Sequence, residues 1–199
     1  MNQDIYKSDY DYEIPEKLIA RYPPKNRTDS KLLLCKDQNF SIENFSSISN
    51  FFKKDDLIVF NETKVFKARL RLQKESGGQT EIFINRILSK FEAECLTKGL
   101  NLKKKSQVLK TNTFPLKISI VKEKDGLVLM KFSQNVEHLC SIYGKVPIPP
   151  YLKRDDDESD NVRYQTVFAN DVLKESAAAP TASLHFDKNL YENITTEFS

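Results

Sequence analysis

Strict alternation of apolar and polar side chains constrains the fold of this chain more than any other feature. In the stretch VFKARLRLQK, residues 65–74, the apolar set is Phe66, Ala68, Leu70 and Leu72. The intervening set is Lys67, Arg69, Arg71 and Gln73. A period of two is typical of a β-strand with one buried face. The stretch therefore predicts a half-buried strand whose other face is basic.

Short strands joined by turns continue this pattern as far as residue 132. After the turn ESGGQ come TEIFINRIL, FEAECLT, QVLK and finally PLKISIVKEKDGLVLMKF. Asp125 and Gly126 in the last segment form a hairpin signal. Between residues 65 and 132 the sequence shows no helical period. This succession predicts a small antiparallel barrel.

The segments before the alternating region predict a different kind of structure. Residues 14–20 predict a short helix between prolines, and residues 42–52 favour a helix over a strand. KLLLC at 31–35 and DLIVF at 56–60 are apolar runs of strand length. The second run is predicted to be buried on both faces.

Two helices are predicted after the barrel. One runs from Ser133, as its N-cap, to Gly144, and the proline-rich residues 145–154 then take an extended path. The other begins after Asp187 and carries an apolar stripe of Leu190, Ile194 and Phe198.

Composition excludes several classes of protein. The sequence has no apolar run long enough to span a membrane and no signal-peptide character at its start, so we expect a cytoplasmic protein. Its three cysteines form no CxxC pair, so we expect no zinc site, other metal site or disulfide framework.

The net charge of +3 excludes a strongly basic nucleic-acid coat. The basic stretches KARLRLQK and NLKKKSQVLK suit either a phosphate backbone or a solvated face.

The stretch AAAPTASLHF, residues 177–186, does not resemble a core element. Pro180 fixes its own φ and moves Ala179 away from the helical region, so a bend is expected. Small side chains on a bend allow another group to approach the backbone closely. Thr181, Ser183 and His185 would meet that group with polar atoms.

Taken in order, the motifs of the chain resemble one known family. They are YDYEIPEKLIARYPPKNRTDSKLLL, DLIVFNETKVFKARL, SGGQTEIFI, YGKVPIPPYLKR, RYQTVFA and AAAPTASLHF, and together they cover nearly the whole sequence. In this order and spacing they resemble the S-adenosylmethionine:tRNA ribosyltransferase-isomerases of queuosine biosynthesis.

The resemblance implies an enzyme that uses S-adenosylmethionine as a co-substrate, without a metal. It would transfer and isomerise the ribosyl group onto 7-aminomethyl-7-deazaguanine at the wobble position of tRNA with a GUN anticodon. The product would be epoxyqueuosine-tRNA, with adenine and methionine released. No membrane is implied as a partner.

The resemblance also implies a mixed α/β fold, in which a mixed-sheet domain carries an inserted small antiparallel β-barrel. We expect residues 1–70 and 146–199 to form the α/β domain and residues 71–145 the barrel. The relatives continue past the last predicted helix, whereas this sequence stops at Ser199. The expected enzyme is a monomer if complete, with a second polypeptide as the alternative source of the remaining part.

Candidate site residues follow from the matched motifs. His185 and Thr181 are the candidate catalytic residues, and His185 is either the base or a structural histidine. The candidate substrate-binding residues are Asn61, Thr63, Lys64, Arg69, Arg163, Tyr164, Gln165, Thr166, Pro180, Ser183 and Phe186.

The candidate residues also have ordinary structural interpretations. Thr181 and Ser183 present hydroxyls to a carboxylate or ribose, or only make turn and capping contacts. Arg69 meets a phosphate or is a solvated charge. Arg163, Tyr164 and Gln165 offer a bidentate donor, a stacking plane and an amide, although Tyr164 becomes core if the segment is a strand.

Two positions depart from the family pattern, which usually has glycine at Ser183 and proline at Lys67. A serine avoids positive φ, so Ser183 would reshape the loop if the family backbone uses that freedom. Because the later strands of the family are missing from this sequence, the alternative function is a catalytically incomplete fragment or a tRNA-binding remnant.

Overall fold

The computed structural model describes residues 5–172 and 176–197. Its first sheet is an antiparallel hairpin of β1 (Lys31–Lys36) and β2 (Asn39–Asn44), which confirms the strand predicted at 31–35. Short 3₁₀ segments flank this hairpin, at Lys7–Tyr10, Glu16–Leu18, Arg27–Asp29 and Phe45–Phe51.

A closed antiparallel barrel follows the hairpin. Its strands are β3 (Arg69–Lys74), β4 (Gln79–Ser89), β5 (Glu92–Lys98), β6 (Ser106–Lys110), β7 (Pro115–Lys124) and β8 (Leu127–Phe132). The strand order is β4-β5-β8-β7-β6-β3, and the pairing of β3 with β4 closes the ring. Asp125 and Gly126 both have positive φ, as a type I′ hairpin requires. The predicted barrel and hairpin are confirmed.

Alternating side chains fill the barrel. Leu70 and Leu72 of β3 are buried, whereas Arg71, which lies between these two leucines, is exposed. Ile82 and Ile84 of β4 are buried in the same way. Burying each such side chain contributes about 1.5–3 kcal/mol. The period of two in the sequence therefore divides the strands into an apolar interior and a polar outer face.

Helix α1 (Val136–Tyr143) packs Val136, Leu139 and Cys140 onto the barrel core and leads into the short strand β9 (Gly144–Lys145), which pairs with β3. The helix ends at Gly144, as predicted, but the φ of this glycine is −70°, so a left-handed conformation is not the reason. A Cβ at this position would lie 2.1 Å from the carbonyl oxygen of Lys67 and 2.2 Å from that of Cys140. Gly144 is therefore required for close backbone packing.

The remaining helices are α2 (Asp160–Arg163) and α3 (Lys188–Glu197), and 3₁₀ segments lie at Pro150–Leu152 and Thr181–His185. The Asp187 carboxylate accepts a hydrogen bond from the Leu190 amide at 2.8 Å, which confirms the predicted cap of α3. Leu190 and Ile194 pack with Phe45 and Phe186 in a second apolar cluster. Phe198 lies outside the described residues.

The segment at 56–60 corrects a prediction. Among the described residues it has no regular secondary structure and joins no sheet. Leu57 and Val59 are 89% and 82% exposed, whereas Ile58 and Phe60 are half-buried against the second cluster. Burial on both faces was wrong, because an apolar run is buried only where neighbouring elements cover it.

Three local predictions also need correction. Residues 14–20 form only the 3₁₀ turn Glu16–Leu18, which buries no side chain and so cannot offset the cost of nucleating a helix. Residues 42–44 belong to β2, because they pair with β1, and helical turns begin only at Phe45. Asn135, rather than Ser133, caps α1, because its side chain accepts from the His138 amide while the Ser133 hydroxyl accepts from Lys117.

The predicted fold class, a mixed α/β fold with an inserted antiparallel barrel, is confirmed. Parallel bridges join Thr63 to Asn170 and Val65 to Ser176, so the segments on either side of the barrel meet. The domain boundaries at 70/71 and 145/146 stay predictions.

We expect Gly144→Ala to lower the free energy of unfolding by about 3 kcal/mol, because the added methyl group must displace backbone carbonyls. Urea denaturation followed by circular dichroism measures this change. Gly78→Ala is the matched control, since its Cβ would meet only the flexible end of Lys74 at 3.0 Å. The control should change stability by less than about 0.5 kcal/mol. Equal losses in the two variants would contradict the packing role of Gly144.

Candidate functional site

A cavity of about 400 Å³ lies on the outer face of the barrel. The barrel supplies one wall, where the register places Arg69 opposite Phe83 and Phe83 opposite Leu96. The next row is Arg71, Glu81 and Lys98, of which Glu81 and Lys98 line the cavity. Because inward positions are apolar, the side chains of Arg69, Glu81, Phe83, Leu96 and Lys98 come from the alternate, outward set.

The opposite wall comes from segments far along the chain. It consists of the proline-rich residues 147–150, Tyr164, the alanines at 177–179 and Thr181. Three prolines fix φ in the first segment, and its one backbone N–H, that of Ile148, donates to the carbonyl oxygen of Val146 at 2.8 Å. The alanines leave room beside this segment. The group that approaches the AAAPT stretch in this structure is therefore the outer face of the barrel.

Arg69 is the most buried charged group of this cavity. Its side chain is 14% exposed, and Nη2 donates to the carbonyl oxygen of Ile148 at 3.2 Å. Nε is buried without a hydrogen-bond partner among the described residues. A Glu81 carboxylate oxygen lies 3.8 Å from Nε, which is an ion-pair contact but too long for a hydrogen bond.

Tyr164 reaches the cavity from the end of α2, and a buried ion pair holds this helix in place. Asp160 is fully buried and binds Arg154 through two contacts of 2.6 and 2.8 Å. The guanidinium of Arg154 also lies over the ring of Tyr22, 4.4 Å from its centroid. Burial raises the pKa of Tyr164, so its hydroxyl is protonated at neutral pH.

A second, larger groove of about 1060 Å³ is bordered by Lys64, Lys67, His138, Gln165 and other residues. Lys64 forms an ion pair with Asp171. The Gln165 side chain accepts from the Val65 amide at 3.0 Å and donates to the Val65 carbonyl at 2.6 Å. The side-chain amide of Gln165 thus attaches its own segment to the backbone of Val65, with the pair of hydrogen bonds that a neighbouring strand would make.

His185 lies at the end of the 3₁₀ segment and lines neither of these two spaces. Its ring centroid is 5.2 Å from that of Phe45. Burial lowers the pKa of His185, and the positive charges of Arg163 and Arg27 lower it further. The imidazole is therefore held in its neutral form.

Arg27 and Arg163 connect the amino-terminal residues to this region. Arg27 donates to the carbonyl oxygens of Leu184 (2.9 Å), Val162 (2.9 Å) and Gln165 (2.8 Å). Arg163 donates to those of Pro24 (2.9 Å) and Lys25 (3.4 Å). Both guanidinium groups are engaged with backbone, and burial lowers the pKa of Arg27.

The remaining candidate residues are dispersed. The Asn61 side chain accepts from the amide and hydroxyl of Thr63, at 2.9 and 2.5 Å. Thr166 is buried, and its hydroxyl has no hydrogen-bond partner among the described residues. Pro180 and Ser183 share a turn hydrogen bond of 2.9 Å, and Phe186 belongs to the second apolar cluster.

The structure brings Arg69, Tyr164 and Thr181 together in the cavity, and the roles of all the candidate residues stay predictions. Sequence reasoning missed Glu81, Phe83 and Leu96 on the barrel wall. A signal was present, because the ESGGQ turn sets the register that places Phe83 opposite Arg69.

Within the described ranges, no group of His, Cys, Asp or Glu side chains could hold a metal ion. Cys95 and Cys140 are buried, and burial raises the pKa of Cys140 to about 12. No helix in the part of the chain that the structure describes is long and apolar enough to cross a bilayer.

Comparison with known proteins identifies similar sequences. Residues 7–198 match a protein-family model described as queuosine biosynthesis protein. The S-adenosylmethionine:tRNA ribosyltransferase-isomerase of Acinetobacter baylyi is 38% identical over 191 residues, which cover 96% of this chain and 56% of that protein. The protein of the same name from Dichelobacter nodosus is 40% identical over 204 residues, covering 99% of this chain and 56% of that protein. The chain thus spans about half the length of the curated relatives it matches.

One similar solved structure is the S-adenosylmethionine tRNA ribosyltransferase of Thermotoga maritima. It is 24% identical with a TM-score of 0.37, and the match covers 96% of this chain and 54% of that chain.

We expect Asp160→Asn to lower the free energy of unfolding by about 3–5 kcal/mol, because the buried Arg154 guanidinium loses its charged partner. Thermal and urea denaturation measure the loss. Asp155→Asn is the matched control, since Asp155 pairs with Arg71 at 2.7 Å but is 75% exposed. The control should cost less than about 1 kcal/mol. A small effect of Asp160→Asn would show that the pair does not hold α2.

We expect His185 to titrate below its ordinary pKa of about 6.5. The unfolded chain then binds a proton at His185 more tightly than the folded chain does. The contribution of neutral His185 to the free energy of unfolding is therefore fully present above the ordinary pKa, and it is lost as pH falls from there through the lower pKa of the folded chain. An NMR pH titration of His185, in a His138→Gln background for assignment, gives its midpoint directly. A midpoint at or above the ordinary value would contradict this expectation.

Proposed function

The chain belongs to the queuosine biosynthesis protein family, and on that premise we propose that it acts in the reaction of an S-adenosylmethionine:tRNA ribosyltransferase-isomerase. The proposed reaction moves the ribosyl group of S-adenosylmethionine onto 7-aminomethyl-7-deazaguanine at the wobble position of tRNA with a GUN anticodon. Its products are epoxyqueuosine-tRNA, adenine and methionine. The family match over residues 7–198 and the identity of 38–40% to relatives of that name support this proposal.

The observation that carries the site assignment is the meeting of Arg69, Tyr164 and Thr181 in one cavity. The three residues come from three separate motifs, yet they surround a space suited to a small molecule. Tyr164 offers a ring and a protonated hydroxyl, Thr181 offers an exposed hydroxyl, and Arg69 offers guanidinium donors. We assign this cavity to the co-substrate, S-adenosylmethionine.

The proposed chemistry needs a base and a departing adenine. A base removes the acidic proton beside the sulfonium, adenine leaves, and the aminomethyl nitrogen attacks the sugar. An epoxide then closes as methionine departs. His185 is proposed as the base or as a positioning residue, and its lowered pKa supports the first role because a base must be unprotonated.

The alternative proposal is a tRNA-binding remnant that lacks the catalytic function. The chain spans 53–57% of the relatives' length. The exposed lysines at 103–105 on the barrel would then meet phosphate groups. In either case we propose a cytoplasmic protein, acting as a monomer or with a second polypeptide.

Adenine release from S-adenosylmethionine tests the proposed enzyme. The purified chain is mixed with tRNA carrying the aminomethyl-deazaguanine base, and unmodified tRNA serves as the control. Release with the modified tRNA alone is the expected result. A soluble, folded chain that binds tRNA but releases no adenine would favour the remnant.

We expect Thr181→Ala to reduce the rate of adenine release about tenfold, as the loss of one hydrogen bond in the transition state would. The matched control is Thr196→Ala, on the exposed side of α3, which should leave the rate unchanged. An unchanged rate in Thr181→Ala would remove this residue from the site.

A further inference from the structure

The cavity on the barrel holds two opposite charges that do not hydrogen-bond to each other. The Nε of Arg69 lies 3.8 Å from one carboxylate oxygen of Glu81, and the other Glu81 oxygen lies 3.8 Å from the Nε of Arg71. Both distances exceed the usual limit of about 3.2 Å for a hydrogen bond. Within the described ranges, Glu81 therefore keeps its acceptor capacity and Arg69 keeps unused donors.

Such unused capacity is costly at a buried site. A guanidinium has five N–H donors, and Arg69 uses one of them on the Ile148 carbonyl. Its Nε is buried, so solvent does not satisfy it. Glu81 is 31% exposed and lines the same cavity. The pair thus offers a donor fork and an acceptor side by side.

The charges in this cavity distinguish between possible ligands. A phosphate group would gain the contact with Arg69 and the attraction of Lys98, but it would be repelled by Glu81, which lies beside Arg69. An α-amino-acid group carries a carboxylate and an ammonium group on the same carbon atom, and these match the charges of Arg69 and Glu81. Phe83, Leu96 and Pro149 add apolar surface for the rest of such a ligand.

We propose that the cavity binds the α-amino-acid end of a small ligand, with Arg69 pairing its carboxylate and Glu81 its ammonium group. This assignment rests on the proposed function for the identity of the ligand, which is then the methionyl end of S-adenosylmethionine. Free methionine, the released product, carries the same group.

Calorimetric titration of the chain tests this assignment with three probes: S-adenosylmethionine, its decarboxylated analogue, and L-methionine. The wild-type chain should bind S-adenosylmethionine at least tenfold more tightly than the decarboxylated analogue. Arg69→Gln should lower the affinity for S-adenosylmethionine at least tenfold and leave the affinity for the decarboxylated analogue unchanged. Glu81→Gln should lower the affinity for both of these probes, since both keep the ammonium group. Arg69→Lys, which keeps the charge but loses the donor fork, should fall between wild type and Arg69→Gln.

Arg86→Gln is the matched control, because it makes the same change of charge on β4 of the barrel, where Arg86 is exposed and does not line the cavity. It should leave the affinities for all three probes within twofold, and thermal denaturation confirms that each variant is folded.

The possible outcomes separate this inference from the proposed function. The inference is overturned, while the proposed function stands, if Arg69→Gln binds S-adenosylmethionine as tightly as wild type does. The same conclusion holds if Arg69→Gln lowers the affinities for S-adenosylmethionine and its decarboxylated analogue by the same factor. Binding of L-methionine but not S-adenosylmethionine, with the same dependence on Arg69, would retain the inference and reject the proposed co-substrate. Failure of the wild-type chain to bind any probe would overturn both.

Discussion

The structure depends on the pairing of β3 along both of its edges. One edge joins β4, and the other joins β9 and then β6, so this strand closes the barrel and anchors the segment that follows α1. Leu70 and Leu72 point into the core while Arg69 points out over the cavity. A slip of one residue would exchange these faces and bury the arginines. The burial of the leucines therefore fixes the position of the candidate site residue beside them.

Polar contacts, rather than apolar packing, join the amino-terminal residues to the rest of the molecule. Arg27 and Arg163 each donate to backbone carbonyls on the far side of this junction, and Arg154 binds both the Arg21 carbonyl and Asp160. An arginine suits this task because its planar fork reaches several acceptors at once. Since the side chains of residues 5–14 are exposed, these contacts define the path of the segment.

The sequence predicts the barrel better than it predicts the cavity, and the reason is physical. Alternation and the Asp125-Gly126 turn are local signals, and each strand of the barrel pairs with neighbours that carry the same period. The run at 56–60 has equally apolar residues, but its burial depends on what lies beside it, and Leu57 and Val59 are exposed. Tyr164 and Thr181 could be selected by motif, whereas their meeting with Glu81 and Phe83 requires the packing of distant segments. Likewise, no local signal indicates that Gln165 binds the backbone of Val65.

The cavity joins a rigid wall to a site with unsatisfied charge, and this combination favours binding. Within the described residues the Nε of Arg69 is buried without a hydrogen bond, which costs about 1–3 kcal/mol. The barrel strands and the proline-rich wall tolerate that cost because neither can readily move to relieve it. A ligand carboxylate would pair with the part of the Arg69 guanidinium that remains exposed, and it would do so without having to order the protein first. The same rigidity explains why small residues occur at 177–179, since larger side chains there would fill the space between the walls.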